Sequence, residues 1–208
     1  MNATTRTLSL LGQAGHIEAL LDEPTEGAAQ GTAVIAHPHP LFGGTMHNKV
    51  VQTLARAFVQ SGGRAVRFNF RGVGGSEGTY DEGRGEAIDM QQVILQVSPE
   101  GPLALAGFSF GAFVASHVVQ ALGAQRPPQQ LVLVGTAASR FEVASVAPGL
   151  HERCLVLHGE QDDTVPLASV MDWARPQSLP ITVIPGCEHF FHGQLPLLKS
   201  LVVRHLRS

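Results

Sequence analysis

Ser109 stands in Gly107-Phe108-Ser109-Phe110-Gly111, between an apolar run, Leu103 to Phe108, and a helix-like run, Phe110 to Leu122. A G-x-S-x-G pattern at a strand-to-helix turn is a nucleophile elbow. Glycines flank it because a side chain at either place would collide with the neighbouring strand or helix. The serine hydroxyl is pushed out at the carboxyl edge of a sheet, and the helix amides aimed at the same spot favour negative charge. The five residues alone are a common pattern, and a purely structural turn can look the same. The flanking runs carry the reading.

A serine hydroxyl is a poor nucleophile at neutral pH without a base in hydrogen-bond reach and a carboxylate to orient that base. In an open α/β sheet both groups belong just past the carboxyl ends of strands. Two segments offer them. The apolar run Cys154 to Leu157 leads into His158-Gly159-Glu160-Gln161-Asp162-Asp163-Thr164-Val165-Pro166, where Glu160, Asp162 and Asp163 compete. The run Ile181 to Ile184 leads into Pro185-Gly186-Cys187-Glu188-His189-Phe190-Phe191-His192-Gly193, where His189 and His192 compete. An oxyanion forming at Ser109 also needs backbone donors. Phe110 supplies one, as the N–H directly after the nucleophile. The second belongs to the loop His37 to Thr45 after the strand Thr32 to Ala36. Pro38 and Pro40 have no N–H, which leaves His39, with Leu41 or Phe42 if the loop is displaced.

The elements that position these groups alternate. Thr5 to Leu21 reads as an edge hairpin turning at Gly12-Gln13-Ala14-Gly15. A strand over Thr32 to Ala36 is followed by a helix from about Met46 to Gln60, a strand over Ala65 to Phe70 and a helix over Arg84 to Val97, its buried side bracketed by Ile88, Gln91, Ile94 and Leu95. Strands over Leu131 to Val134, Arg153 to Leu157 and Ile181 to Ile184 follow the elbow, with helices over Ala168 to Trp173 and Gln194 to Leu206. This alternation implies a mostly parallel sheet covered on both faces.

The chain of 208 residues, 44% hydrophobic and 15% charged, is expected to form one domain over 1–208 with a substantial core. A net charge of −3 gives no reason to expect nucleic acid or an acidic membrane as partner. No apolar run is long enough for a membrane span, and Met1 to Leu11 lacks a signal-peptide core. The expectation is a cytoplasmic protein, monomer or homodimer. Cys154 and Cys187 are too few for a disulfide framework. The first is expected in the core, the second partly exposed in a loop.

Taken together, the elbow, the H-G loop and the G-x-x-H turn resemble an α/β-hydrolase over essentially the whole chain. His37-Pro38-His39-Pro40-Leu41-Phe42-Gly43-Gly44-Thr45-Met46 and Arg67-Phe68-Asn69-Phe70-Arg71-Gly72-Val73-Gly74 resemble a small, lidless bacterial group near the dienelactone-hydrolase-like enzymes. The resemblance implies an α/β-hydrolase fold without a lid domain. It implies Asp162 as the acid, by its spacing from His158-Gly159 and from Pro166, and His189 as the base, in Gly186-Cys187-Glu188-His189. It also places the second oxyanion donor at His39. The implied activity is hydrolysis of carboxylic esters or thioesters through Ser109, His189 and Asp162, with no cofactor and a small acyl ester or thioester as partner. Dienelactone hydrolysis is a close alternative, although that family typically uses cysteine where this elbow has serine. A non-catalytic binding protein on the same fold is the alternative from another class.

Other residues have plainer readings. His37, His39 and His47 lack a nearby carboxylate or cysteine, so no metal site is expected. His158 is read as orienting the acid loop, and His117 as structural. Arg71 is expected to pair with Asp81, Glu82 or Glu86. The glycine-rich loop 71–78 lacks both G-x-G-x-x-G and a Walker lysine, and reads as tight chain reversal. Phe108, Phe110, Phe190 and Phe191 flank the site as acyl pocket or as core. The segment between Val134 and Arg153 is too short for a helical lid, so Gly135 to Leu150 is expected to wall an open cleft.

Overall fold

The computed structural model describes residues 3–25 and 27–208. Strands β1 (Ala3–Gly12) and β2 (Gly15–Pro24) form the expected hairpin. Then follow β3 (Thr32–Ala36), α1 (Lys49–Gln60), β4 (Arg64–Phe68), α2 (Arg84–Val97), β5 (Leu103–Phe108), α3 (Phe110–Leu122), β6 (Gln130–Val134), β7 (Cys154–Gly159), α4 (Leu167–Ala174), β8 (Ile181–Ile184) and α5 (Leu195–Leu206). One eight-stranded sheet has the order β1-β2-β4-β3-β5-β6-β7-β8. Its hairpin joins β4 antiparallel, and every later pairing is parallel.

Side chains alternate between the two faces. Val34, Leu105, Leu131, Leu133 and Val156 meet α2, α3 and α4 on one side. Ile35, Ala106, Phe108, Val132 and Leu157 meet α1 and α5 on the other. Buried on both faces, the central strands lack polar alternation, as parallel strands between helix layers do. The elbow strand β5 therefore lies mid-sheet, and its carboxyl end faces the loops after β3, β6, β7 and β8.

Five local expectations are corrected. Helix α1 starts at Lys49, because the Asn48 side chain caps it by accepting from the Val50 N–H at 2.8 Å. Strand β4 stops at Phe68. The Asn69 N–H turns to the Glu18 carbonyl at 2.9 Å and the Phe70 N–H to His37 Nε2 at 3.0 Å. Helix α2 buries Glu86, Asp89, Met90, Val93 and Ile94, whereas Ile88 and Leu95 are exposed. Its inner face is partly polar because Glu86 accepts from the Asp81 and Gly83 N–H groups and Asp89 binds Arg71. Arg71 thus pairs with Asp89, bidentate at 2.7 and 2.8 Å, and not with Asp81, Glu82 or Glu86. Cys187 is buried, and burial pushes its thiol up to about 11.

Candidate active site

The elbow has the tight backbone its glycines require. A Cβ on Gly107 would lie 2.2 Å from the Gly111 carbonyl oxygen, and one on Gly111 would lie 2.3 Å from the Ala36 oxygen. Ser109 itself has φ 57° and ψ −115°. A non-glycine residue held there costs about 1–3 kcal/mol, and such strain persists only where the surroundings over-determine it. Here the Ser109 N–H donates to the Val134 carbonyl at 2.8 Å, while its own carbonyl accepts from Ala112 and Phe113 at 3.0 and 3.2 Å.

Ser109 Oγ lies 3.1 Å from His189 Nε2, and His189 Nδ1 lies 2.6 Å from Asp162 Oδ2. An ionised carboxylate only accepts. Nδ1 therefore carries the proton, and Nε2 is left to accept from the serine hydroxyl. The imidazole is packed between Phe108, at 4.9 Å between ring centroids, and Phe190, at 5.0 Å edge-on. Gly135 leaves the room it needs, since a Cβ there would lie 3.2 Å from His189 Cε1.

The acid is held equally firmly. Asp162 Oδ1 accepts from the Thr164 and Val165 N–H groups at 3.0 and 2.7 Å. His158 donates from Nε2 to the Val165 carbonyl at 2.9 Å and lies 3.4 Å from Asp162 Oδ2, so it ties the acid loop to β7. The competing residues point elsewhere. Asp163 is exposed and meets Thr164 Oγ1 at 3.4 Å, and His192 is exposed and pairs with Glu188 at 2.9 Å.

The loop after β3 separates the candidate oxyanion donors. The Leu41 N–H donates to His39 Nδ1 at 3.2 Å, and the Phe42 N–H donates to the His39 carbonyl at 3.1 Å. Among the described residues neither the His39 N–H nor the Phe110 N–H has a protein acceptor, and both residues line the same cleft as Ser109. Both ring nitrogens of His37 are engaged within the fold. It is fully buried, its Nδ1–H donates to the Pro38 carbonyl at 2.6 Å, and Nε2 accepts from Phe70. Burial lowers its pKa to about 4, which keeps it neutral.

The cleft beside Ser109 has a volume of about 280 Å³. His39, Phe42, Phe110, Phe141 and Phe190 give it an aromatic wall, and Ala137, Arg140 and Phe141 bring in the segment between β6 and β7. Of the four phenylalanines read from the sequence, Phe110 and Phe190 line the cleft, whereas Phe108 and Phe191 lie in the core beneath α1 and α5. Arg140 and Phe141 were not singled out in the sequence. Their only signal is position, a few residues past the carboxyl end of β6, where site residues gather in such sheets. A carboxylate, an imidazole and a hydroxyl linked in this way let the ring take the hydroxyl proton while the carboxylate holds its tautomer.

The sheet order, the helices on both faces and the strained serine turn at the carboxyl edge define an α/β-hydrolase fold. A lidless α/β serine hydrolase from Xanthomonas campestris is 36% identical, with a TM-score of 0.88 over 100% of this chain and 95% of that one. An α/β serine hydrolase homologue from Coxiella burnetii is 38% identical, with a TM-score of 0.82 over 97% of each chain. An uncharacterized protein of Rickettsia prowazekii is 32% identical over 199 residues, 86% of this chain and 79% of that one. The thioesterase-domain family model matches residues 87–158, which include Ser109 and stop short of Asp162 and His189. The chain belongs to the α/β-hydrolase superfamily. No helix among the described residues is long and apolar enough to cross a membrane.

Proposed function

We propose that this chain, acting as one domain, hydrolyses carboxylic esters or thioesters through an acyl-enzyme on Ser109. His189 takes the hydroxyl proton as Ser109 Oγ attacks the acyl carbon, and returns it to the departing alcohol or thiol. Asp162 holds the Nδ1–H tautomer and stabilises the imidazolium. The N–H groups of Phe110 and His39 receive the negative oxygen of the tetrahedral intermediate. Water then repeats the attack, with His189 as base, and frees the acid and Ser109. The observation that carries this reading is the unbroken chain from Ser109 Oγ through His189 to Asp162, at 3.1 and 2.6 Å. The thioesterase-domain match around the elbow supports including thioesters.

The test is covalent labelling by a fluorophosphonate, together with turnover of short p-nitrophenyl and thioester substrates. Labelling should vanish in Ser109→Ala. Turnover should fall by roughly 10⁴-fold in Ser109→Ala and His189→Ala, by analogy with dissected serine triads. An unlabelled wild-type protein that turns over neither ester class returns the chain to a binding role.

A further inference from the structure

The proposed hydrolysis makes no use of Arg140, the one permanently charged side chain among the described residues that line the Ser109 cleft. No carboxylate lines that cleft among the described residues. Asp162 lies behind it, with both oxygens engaged by His189 and the loop amides. Several other arginines direct their guanidinium groups at protein acceptors. Arg64, Arg67, Arg71, Arg126 and Arg153 all do so. The Arg140 guanidinium makes no ion pair or hydrogen bond among the described residues. On its outer side it borders a shallow depression with Glu82 and Glu142. Glu82 pairs with Arg84 at 3.5 Å instead, and Glu142 is in no ion pair with Arg140.

The base of this arginine is anchored although its head is exposed. The Arg140 and Phe141 N–H groups both donate to the Ala137 carbonyl, at 3.2 and 3.1 Å, which closes a turn directly after β6. The Phe141 ring packs on Phe110 at 5.2 Å and stacks on Phe113 at 4.7 Å. The charge is felt across the cleft, where after burial it is the second influence lowering the pKa of His39. A cation at the edge of an aromatic wall, anchored at its backbone and in no ion pair among the described residues, favours an anion on the molecule that enters.

We infer that Arg140 recognises an anionic oxygen group, a carboxylate or a phosphate, carried by the ester or thioester that Ser109 attacks. The inference rests on the proposed role of Ser109 for its catalytic reading and deepens it to a substrate class. A guanidinium that bonds such a group discriminates it from a neutral isostere by about tenfold, the lower end for charge-assisted bonds because the site is open to solvent.

The test compares matched pairs. Mono-p-nitrophenyl succinate against p-nitrophenyl butyrate puts the charge on the acyl side. 4-Acetoxybenzoate and 4-acetoxyphenyl phosphate against phenyl acetate put a carboxylate or a phosphate on the leaving group. In at least one pair the anionic-to-neutral ratio of kcat/KM should exceed one in the wild type. That ratio should fall about tenfold in Arg140→Gln, invert in Arg140→Glu and be partly kept in Arg140→Lys. A ratio unmoved by Arg140→Gln in every pair overturns the inference while leaving ester hydrolysis standing. A second arm does not depend on turnover. Calorimetric binding of monomethyl succinate and dimethyl succinate to Ser109→Ala, with and without Arg140→Gln, should show an Arg140-dependent preference for the monoester. That preference in a protein that hydrolyses nothing would remove the proposed function and keep the anion site. Its absence, together with unmoved ratios, removes the site.

Discussion

Gly111→Ala tests the contact that sets the elbow against the loop after β3. A methyl group there would lie 2.3 Å from the Ala36 oxygen and 2.6 Å from the His37 oxygen. Ordinary contacts begin near 3.5 Å, so a gap of roughly 1 Å must open. Both atoms are backbone, and Ala36 is held by its pairing with β5, so no side chain can swing aside. The movement would part the N-terminus of α3, which carries the Phe110 N–H, from the loop that carries the His39 N–H. Overpacking of this kind costs about 1–3 kcal/mol. Helix propensity alone would favour the alanine by up to about 1 kcal/mol, so a loss of stability has the opposite sign to the propensity effect. For a chain of this size, a net loss near 2 kcal/mol lowers Tm by about 4–8 °C. Displacing one oxyanion donor costs about 3 kcal/mol in the transition state, or roughly 100-fold in kcat. Scanning calorimetry and steady-state turnover of p-nitrophenyl butyrate read the two effects separately. Gly149→Ala is the control, since its Cβ meets nothing within 4 Å. Wild-type kcat and Tm in Gly111→Ala would refute the reasoning.

Two further perturbations act through buried ionisable groups. His37 has its folded pKa lowered to about 4 from 6.5, so the unfolded chain binds the proton first. Its contribution is full above pH 6.5 and is lost as pH falls toward 4, by about 3 kcal/mol in all. Urea unfolding across that range should show a shallower pH slope in His37→Asn than in the wild type, and equal slopes would remove His37 as the source. Asp22 binds Arg67 at 2.7 and 3.2 Å, with side chains only 9% and 8% exposed. Asp22→Ala strands the buried guanidinium and should lower the urea unfolding free energy by about 3–5 kcal/mol, with part regained in Asp22→Ala/Arg67→Met. A loss under 1 kcal/mol would mean that water takes the place of the carboxylate.

Much of the scaffold is legible because central strands and helices here obey simple periods. Strands β3 and β8 and helix α2 begin and end where their residue types predict. The inner face of α2 is not legible. Apolar character points to Ile88 and Leu95, but the face that packs carries Glu86 and Asp89, whose partners Gly83 and Arg71 lie in a loop of irregular backbone. The candidate site divides in the same way. Residue order and spacing single out Ser109 and leave Glu160, Asp162 and Asp163 competing as acid and His189 and His192 as base. The family resemblance favours Asp162 and His189, and these are the two that meet Ser109 in one hydrogen-bonded chain. The resemblance favours His39 as the second oxyanion donor, but the residues alone leave Leu41 and Phe42 open, since each has an N–H. Only the folded loop shows that the last two already have acceptors. Arg140 was hidden for a related reason. Its interest lies in lacking a partner, and a missing contact has no sequence signature.

The short connection between β6 and β7 also bears on how long an acyl group would survive. Only 19 residues, 135–153, separate these strands, and no α-helix lies among them. Phe42 and Phe190 border the cleft and remain exposed. Among the described residues no helix covers the cleft that opens on Ser109. Competing alcohols or amines would meet bulk water at the same opening, and water would outnumber them. For an acyl group held on Ser109 as proposed, an opening of this kind favours release of the acid to water over transfer to a scarcer second acceptor.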